Sequence, residues 1–191
     1  SEKLNVFIEE LIADSEITLK DLDAIAVSSG PGSYTGLRIG TSSAKGFCYA
    51  LNIPFIAIHT MQSMFEFVKR TQPDFDFYIP MIDARRMEVY ASIFDREGNE
   101  VKEVSADVLE KGIYADFIQG KKTLIFGNGA EKSQEIFTES HFEFNTKTNI
   151  SALGMNRIAY EKYQQKRFED LAYFEPNYLK DFIAGKPRKL L

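Results

Sequence analysis

The sequence predicts an α/β fold, and three features of the chain indicate it. Of its 191 residues 44% are apolar, which is enough to bury a core in one domain or in two small lobes. In the first third of the chain, short apolar runs alternate with helical segments, which is the pattern of parallel strands joined by crossover helices. A glycine-rich bend connects the first of these strands to its helix, as is common in such folds.

The first predicted element is an amphipathic helix at the start of the chain. Its apolar side chains recur at the spacing of one helical face, at Leu4, Phe7, Ile8, Leu11 and Ile12. The chain opens without an initiator methionine and without the basic-then-apolar pattern of a secretory signal. Because the helix begins uncapped at residue 1, we expect further residues to precede it in the full gene product.

The next predicted elements alternate between strands and helices. A capped turn at 18–21 leads to a buried strand at 24–29, a helix at 36–51, a buried strand at 54–59 and a helix at 60–70. This order predicts that the two strands lie parallel in one sheet.

The second half of the sequence has the pattern of antiparallel strands, followed by helices and one further strand. Segments 77–83 and 88–94 have strand patterns, and turn residues at 96–99 lead into a third strand at 100–104, which together predict a hairpin. The remaining predicted elements are a helix at 107–119 capped by Gly120, a strand at 123–127, a loop into a helix at 127–137 and a last amphipathic helix at 151–168.

Charge and cysteine content exclude several classes of protein. With 23 basic and 28 acidic residues the formal charge is −5, which argues against a protein that grips nucleic acid over a broad face. The single cysteine, Cys48, forms no intrachain disulfide, and no apolar run approaches the ~20 residues of a membrane span. These features predict a reducing, cytoplasmic compartment and no membrane association.

The glycine-rich bend within 28–40 is the strongest candidate for a binding site. Backbone N–H groups of the bend and of the first helical turn can converge on an anion, and glycine allows close approach. The pattern matches neither the P-loop nor the dinucleotide fingerprint, so a tight structural turn explains it equally well. The candidate nucleotide-binding residues here are Gly30, Gly32, Ser33 and Thr35.

A stripe of small side chains runs along the helix after this bend. It consists of Gly36, Gly40, Ala44 and Cys48, which stand every fourth residue and therefore share one face. Glycine within a helix costs roughly 1 kcal/mol relative to alanine, so two glycines on one face indicate that something packs closely there. Either the protein's own sheet or first helix packs on the stripe, or a helix of another subunit does.

Two further segments carry chemistry-bearing residues. Asp83, Arg85, Arg86 and Glu88 stand together at a strand end, which is where α/β proteins keep their sites, and a solvated corner with local ion pairs explains them too. Segment 126–132 is a second strand-to-helix turn. Its candidate residues, Gly127 and Gly129, suit the phosphates or ribose of a nucleotide or simply the turn.

No metal site and no nucleophile-and-base pair is predicted. The two histidines, His59 and His141, are far apart and form none of the usual zinc motifs, and His59 follows a buried strand as structural histidines often do. The serines include no G-x-S-x-G nucleophile elbow.

Several blocks of the sequence resemble a known family. GPGSYTGLRIG at 30–40, the AKG that follows, DARRMEVY at 83–90 and PNYLK at 176–180 occur in the order of the TsaB (YeaZ-like) family. The resemblance implies a two-lobed actin-like ATPase fold (ASKHA, ribonuclease H-like) in the glycoprotease, or peptidase M22-like, superfamily. It implies lobes at 1–80 and 81–191. Because members of this family normally begin with a β-hairpin, we expect the N-terminal lobe to lack its first strands here.

The resemblance also implies a function and partners. TsaB-like proteins act in bacteria with a catalytic paralogue, TsaD, and an ATPase, TsaE, to make N6-threonylcarbamoyladenosine at position 37 of tRNA. We therefore expect a non-catalytic subunit that scaffolds and activates TsaD, contacts tRNA mainly through its partners and forms a homodimer in isolation. The implied partner surface lies on the first helix and the small-residue helix, at Leu4, Phe7, Ile8, Leu11, Gly36, Leu37, Gly40, Ala44 and Cys48.

The chain departs from the catalytic paralogue at the place of a metal motif. Where the paralogue resembles HxxxH, this chain carries Thr60 and Met64, which are poor ligands for such a metal. The paralogue's metal-assisted transfer therefore does not carry over. Two other functions stay open, a glycoprotease-like peptidase and a nucleotide-binding regulator. No cofactor is assigned to the chain alone, and ATP or ADP at the boundary between subunits is left open.

Overall fold

Two β-sheets organise the chain. The computed structural model describes residues 3–180. Its strands are β1 Ile25–Gly30, β2 Phe55–His59, β3 Phe77–Asp83, β4 Glu88–Asp95, β5 Glu100–Val108, β6 Thr123–Phe126 and β7 Phe142–Asn145. Its helices are α1 Leu4–Asp14, α2 Tyr34–Leu51, α3 Thr60–Thr71, α4 Ala115–Ile118, α5 Ala130–Ser133 and α6 Asn156–Gln164, with 3-10 turns at Leu19–Asp21 and Ala152–Met155.

The first sheet pairs β1 with β2 in parallel, with α2 as the crossover helix between them. The parallel pairing predicted from the sequence is confirmed, and Val27 stands opposite Ala57 in the register. Strand β2 is buried as predicted, except for its last residue, His59, which is exposed. The expectation of a buried β1 is wrong for most of its length, because β2 is its only strand neighbour in the described residues and residues 25–28 are only half-buried.

The second sheet has five strands in the order β5-β4-β3-β6-β7. Strands β3, β4 and β5 form the predicted antiparallel hairpins, whereas β6 pairs parallel to both β3 and β7. One face of the sheet packs against Tyr114, Ile118 and Phe137 from the segments between the strands. The other face is covered by α3. Because both faces are covered, the side chains of β3 and β6 form the centre of the core.

Helix α3 connects the two sheets. It begins directly after β2 and lays Met61, Met64, Phe65 and Val68 on the second sheet, where all four are buried. The ring of Phe65 stacks on that of Phe94 with centroids 4.8 Å apart. Burial of a side chain of this size stabilises the fold by roughly 1.5–3 kcal/mol. The apolar face of α3 therefore contributes much of the free energy that holds the two sheets together.

The last part of the chain returns to the first sheet. Ile158 of α6 packs on Ile56 and Ile58, and the Lys162 ammonium donates a 2.6 Å hydrogen bond to the carbonyl oxygen of Ala57. The 3-10 turn before α6 lies so close to α3 that a Cβ on Gly154 would overlap the carbonyl oxygen of Ser63. The C-terminal part of the chain is thus tied to the first sheet and to α3.

Three sequence predictions for the second half need correction. The predicted helix at 107–119 is wrong for most of its length, because strand β5 continues to Val108 and only Ala115–Ile118 is helical. The predicted helix within 127–137 shortens to one turn, and the last helix at 151–168 divides into a 3-10 turn and α6. Strand β7 was not predicted at all.

The close approach at Gly154 gives a stability prediction. The change Gly154→Ala places a methyl group against the α3 backbone, so we expect the free energy of unfolding to fall by about 1–3 kcal/mol, the usual cost of overpacking. The matched control is Gly46→Ala in the middle of α2, where a Cβ meets nothing within 4 Å. We expect it to raise stability by up to about 1 kcal/mol. Urea unfolding of both variants measures this, and equal effects would contradict the packing described.

Candidate functional site

Helix α1 exposes an apolar surface. No residue of α1 is buried. Phe7 is 57% exposed and Leu11 is 66% exposed, although they are two of the bulkiest apolar side chains on the helix. The predicted partner residues on the inner side of the same helix, Leu4 and Ile8, are half-buried. Large apolar side chains exposed side by side on one helix are typical of an interaction surface.

The small-residue stripe on α2 faces mostly inward. A Cβ on Gly40 would lie 3.6 Å from a methyl group of Val27 on β1, and Ala44 and Cys48 are buried against Phe55 on β2. The prediction that Ala44 and Cys48 belong to a partner surface is therefore corrected, because the protein's own sheet covers them. The Cys48 thiol donates to the Pro54 carbonyl oxygen at 3.4 Å, and burial raises the pKa of this thiol.

The remaining predicted partner residues on α2 divide by position. Gly36 is exposed at the first turn of the helix. Leu37 is buried, and its side chain lies 3.3 Å from the place of a Cβ on Gly30, so it packs under the bend. Only the first turn and the outer side of α2 are open for contact.

The glycine bend after β1 is closed by the chain itself. Gly30 has a φ of +104°, and a Cβ there would lie 2.6 Å from the carbonyl oxygen of Asn177. The Asn177 N–H donates a 2.7 Å hydrogen bond to the carbonyl oxygen of Ser29. Ser33 caps α2 by accepting from the Gly36 N–H at 3.3 Å, and Thr35 is exposed. The close approach that glycine permits is thus made by residue 177.

The second glycine turn packs on strand β3. Gly127 has a φ of +101°, and a Cβ on it would overlap the carbonyl oxygen of Met81. A Cβ on Gly129 would lie 3.1 Å from both the Cβ of Met81 and the carbonyl carbon of Ile82. Both glycines are buried. Internal packing against strand β3 therefore explains why this turn requires glycine.

The charged corner after β3 is built around Lys132. Its ammonium lies 2.5 Å from an Asp83 carboxylate oxygen and donates to the carbonyl oxygens of Arg86 and Glu88 at 2.8 and 2.5 Å. The hydrogen bond from Lys132 holds the pKa of Asp83 below its ordinary value, despite some desolvation. The Glu88 carboxylate pairs with Lys180. Both acidic residues are thus neutralised by lysines that come from later segments of the chain.

Two exposed arginines stand on the same corner. Arg85 and Arg86 have φ values of 73° and 48°, in the left-handed region that non-glycine residues seldom adopt. The Arg85 N–H donates to the Asp83 carboxylate at 3.0 Å, and both side chains lie at the surface. The local ion pairs considered from the sequence are present, but they involve Asp83 and Glu88 and leave these arginines outward.

The positions aligned with the metal motif point inward. Thr60 and Met64 are both buried, and the Thr60 hydroxyl shares a 2.5 Å hydrogen bond with the Ser28 hydroxyl. Within residues 3–180, no three or more His, Cys, Asp or Glu side chains come together as a group able to hold a metal ion. None of the helices in the described range combines the length and apolar character needed to cross a membrane.

The sequence reasoning missed the role of the segment around PNYLK. Asn177 closes the glycine bend, the Tyr178 ring lies 4.8 Å from that of Tyr34, and Lys180 pairs with Glu88. The segment therefore links the start of α2 with the charged corner. The motif itself was visible, but contacts over more than 90 residues leave no local signal in the sequence.

Comparison with protein families and curated sequences identifies relatives. Residues 1–189 match the family described as TsaD: tRNA N6-adenosine threonylcarbamoyltransferase. The chain is 30% identical to the tRNA threonylcarbamoyladenosine biosynthesis protein TsaB of Haemophilus influenzae, over 94% of this chain and 79% of the relative. It is 26% identical to the Escherichia coli protein of that name, over 97% of this chain and 83% of the relative.

Comparison with solved structures shows the fold. A Pseudomonas aeruginosa protein described as similar to peptidase YeaZ superposes with a TM-score of 0.82 at 20% identity, covering 94% of this chain and 84% of that one. The predicted α/β, actin-like fold is thereby confirmed.

The closed glycine bend gives a second stability prediction. The change Gly30→Ala forces a side chain into a left-handed conformation, at about 1–3 kcal/mol, and also against Asn177. The matched control is Gly112→Ala, which has a φ of +78° but meets nothing within 4 Å and therefore carries only the conformational cost. Urea unfolding is expected to show a larger loss for Gly30→Ala. Equal losses would show that Asn177 does not close the bend.

Proposed function

The chain belongs to the TsaB family, and from this premise we propose that it acts in the formation of N6-threonylcarbamoyladenosine on tRNA. The match of residues 1–189 to the TsaD family and the matches to TsaB proteins over most of their length support this role. The reaction takes place, in this proposal, in the cytoplasm, where tRNA is modified.

The proposed part of this chain in the reaction is that of a scaffold subunit. The single observation that carries the proposal is α1, an amphipathic helix without one buried residue that exposes Phe7 and Leu11. Exposure of an apolar helix face to water is unfavourable, and the free energy of the system falls when another protein covers that face. We assign as its partner a TsaD-like paralogue, with a second copy of this chain taking that place in isolation.

The proposed interface is narrower than the one expected from the sequence. It comprises the exposed side of α1 and the first turn of α2 at Gly36, while Gly40, Ala44 and Cys48 support α2 from beneath. Close packing of these residues on the sheet fixes the position of α2 and therefore of its exposed first turn. The small residues thus act on the interface indirectly.

The chemistry is assigned to the partner. The buried side chains of Thr60 and Met64 occupy the positions at which the resemblance places the metal-binding histidines of the catalytic paralogue. A TsaE-like ATPase is the third component of the proposed assembly. The division into lobes at 1–80 and 81–191 stays part of the proposal: the second sheet begins at Phe77, whereas α6 returns from the second half of the chain to pack on β2.

The interface is tested by placing a charge on it. The change Phe7→Glu puts a carboxylate on the exposed apolar side of α1, where a docked partner would bury it without a counter-ion. We expect the dissociation constant for the TsaD-like protein of the same organism to rise at least about tenfold, equivalent to about 1.4 kcal/mol. Isothermal titration calorimetry measures this.

The matched control is Asn5→Glu, which adds the same charge to the exposed opposite side of the same helix, because two residues turn the helix by about 200°. It is expected to leave the dissociation constant unchanged. A Phe7→Glu variant that binds as tightly as the unchanged chain would remove α1 from the interface.

A further inference from the structure

A band of basic and tyrosine side chains crosses the surface from α2 to the charged corner. We propose that this cationic band, Tyr34, Arg38, Arg85, Arg86, Tyr178 and Lys180, binds the sugar–phosphate backbone of RNA. The inference rests on the proposed function, since it gives this chain its own contact with the tRNA that the assembly modifies. It extends the expectation that tRNA is contacted mainly through partners.

The band is continuous from one sheet to the other. The Arg38 guanidinium lies over the Tyr34 ring at 5.6 Å from its centroid, and the rings of Tyr34 and Tyr178 are 4.8 Å apart. Two residues later, Lys180 lies over the Tyr90 ring and pairs with Glu88 at the start of β4. These contacts join the first turns of α2 to the hairpin that carries the two arginines.

The backbone of the hairpin turn would suit glycine or asparagine better than arginine, which indicates that the two arginine side chains have a role of their own. An L-residue in the left-handed region costs roughly 1–2 kcal/mol, and Arg85 and Arg86 occupy it consecutively. Glycine or asparagine would form such a turn at lower cost. Backbone strain of this kind clusters at functional sites, and of the six non-glycine residues with positive φ in the described range only these two are adjacent. Both guanidinium groups are held outward on a short, hydrogen-bonded turn.

The band is positive on an acidic protein. Its four cations and Lys132 face three carboxylates, those of Asp83, Glu88 and Glu175. Asp83 and Glu88 are each paired with a lysine, so the arginines carry the excess charge. A positive surface on a chain of formal charge −5 concentrates polyanions at that place.

The chemistry of the band fits RNA better than a small anion. Guanidinium groups bind phosphate oxygens through paired N–H donors, and tyrosine rings stack on unpaired bases. The residues are spread along a surface that spans α2, the hairpin and the C-terminal segment, which suits an extended chain of phosphates. An acidic protein surface would pair with the arginines but would offer no unpaired base to the exposed ring of Tyr178.

The test removes the two hairpin arginines without unfolding the turn. The double change Arg85→Gly and Arg86→Gly relieves the left-handed strain, so the variant is expected to stay at least as stable as the unchanged chain. Fluorescence anisotropy with a labelled tRNA transcript measures binding by the complex with the TsaD-like partner and by the chain alone. We expect the affinity to fall about tenfold and the slope of log K against log salt to shrink by about two.

The matched control is the double change Arg70→Gln and Arg167→Gln, which removes two exposed cations away from the band. It is expected to leave affinity and salt slope unchanged. Equal effects of the two double variants, an unchanged salt slope, or binding of an acidic peptide or phosphatidylserine vesicles in preference to tRNA would overturn the proposal.

The outcomes for the two proposals are distinguishable. Failure of the chain to bind the TsaD-like protein contradicts the proposed function, while tRNA binding by the chain alone still tests the band. A complex that assembles and modifies tRNA, but binds it equally well without the two arginines, contradicts only the band.

Discussion

The packing of α3 between the two sheets is the interaction on which the rest of the structure depends. Met61, Met64 and Phe65 bury their side chains on the second sheet, while the helix starts at the carboxyl end of β2 in the first. Gly154 allows the turn before α6 to lie directly on the α3 backbone, and α6 then packs on β2. Displacement of α3 would therefore also disturb the contacts of the turn at Ala152–Met155 and of α6.

This arrangement buries some of the surfaces that the sequence offered as binding sites and leaves others exposed. Both glycine turns, which resemble ligand sites in the sequence, are filled by the backbone of Asn177 and of Met81. The sheet covers the small-residue stripe of α2. What stays open is the apolar side of α1 and the cationic band, whose Tyr34 and Arg38 stand on either side of Gly36 in the first turns of α2. The two proposed surfaces therefore meet at the start of α2.

The sequence predicted the local elements better than their surroundings. The parallel strands, the hairpins and the capped turn were predictable, because strand patterning and the bond from the Thr18 N–H to the Asp21 carboxylate are local. The helix at 107–119 failed because Asp107 stays in β5, where it pairs with Lys102 and accepts from Tyr114. The closing of Gly30 by Asn177 depends on packing across the whole chain, which no window of sequence contains.

The central claim is that α1 is the surface by which this chain is held to a TsaD-like partner. Hydrogen–deuterium exchange, followed by mass spectrometry with and without that partner, tests it without any change of sequence. The account predicts that backbone amides of Leu4–Asp14 exchange more slowly in the complex, since a covered helix opens less often. Unchanged exchange in α1, with protection appearing along the edge strand β5 instead, would contradict it.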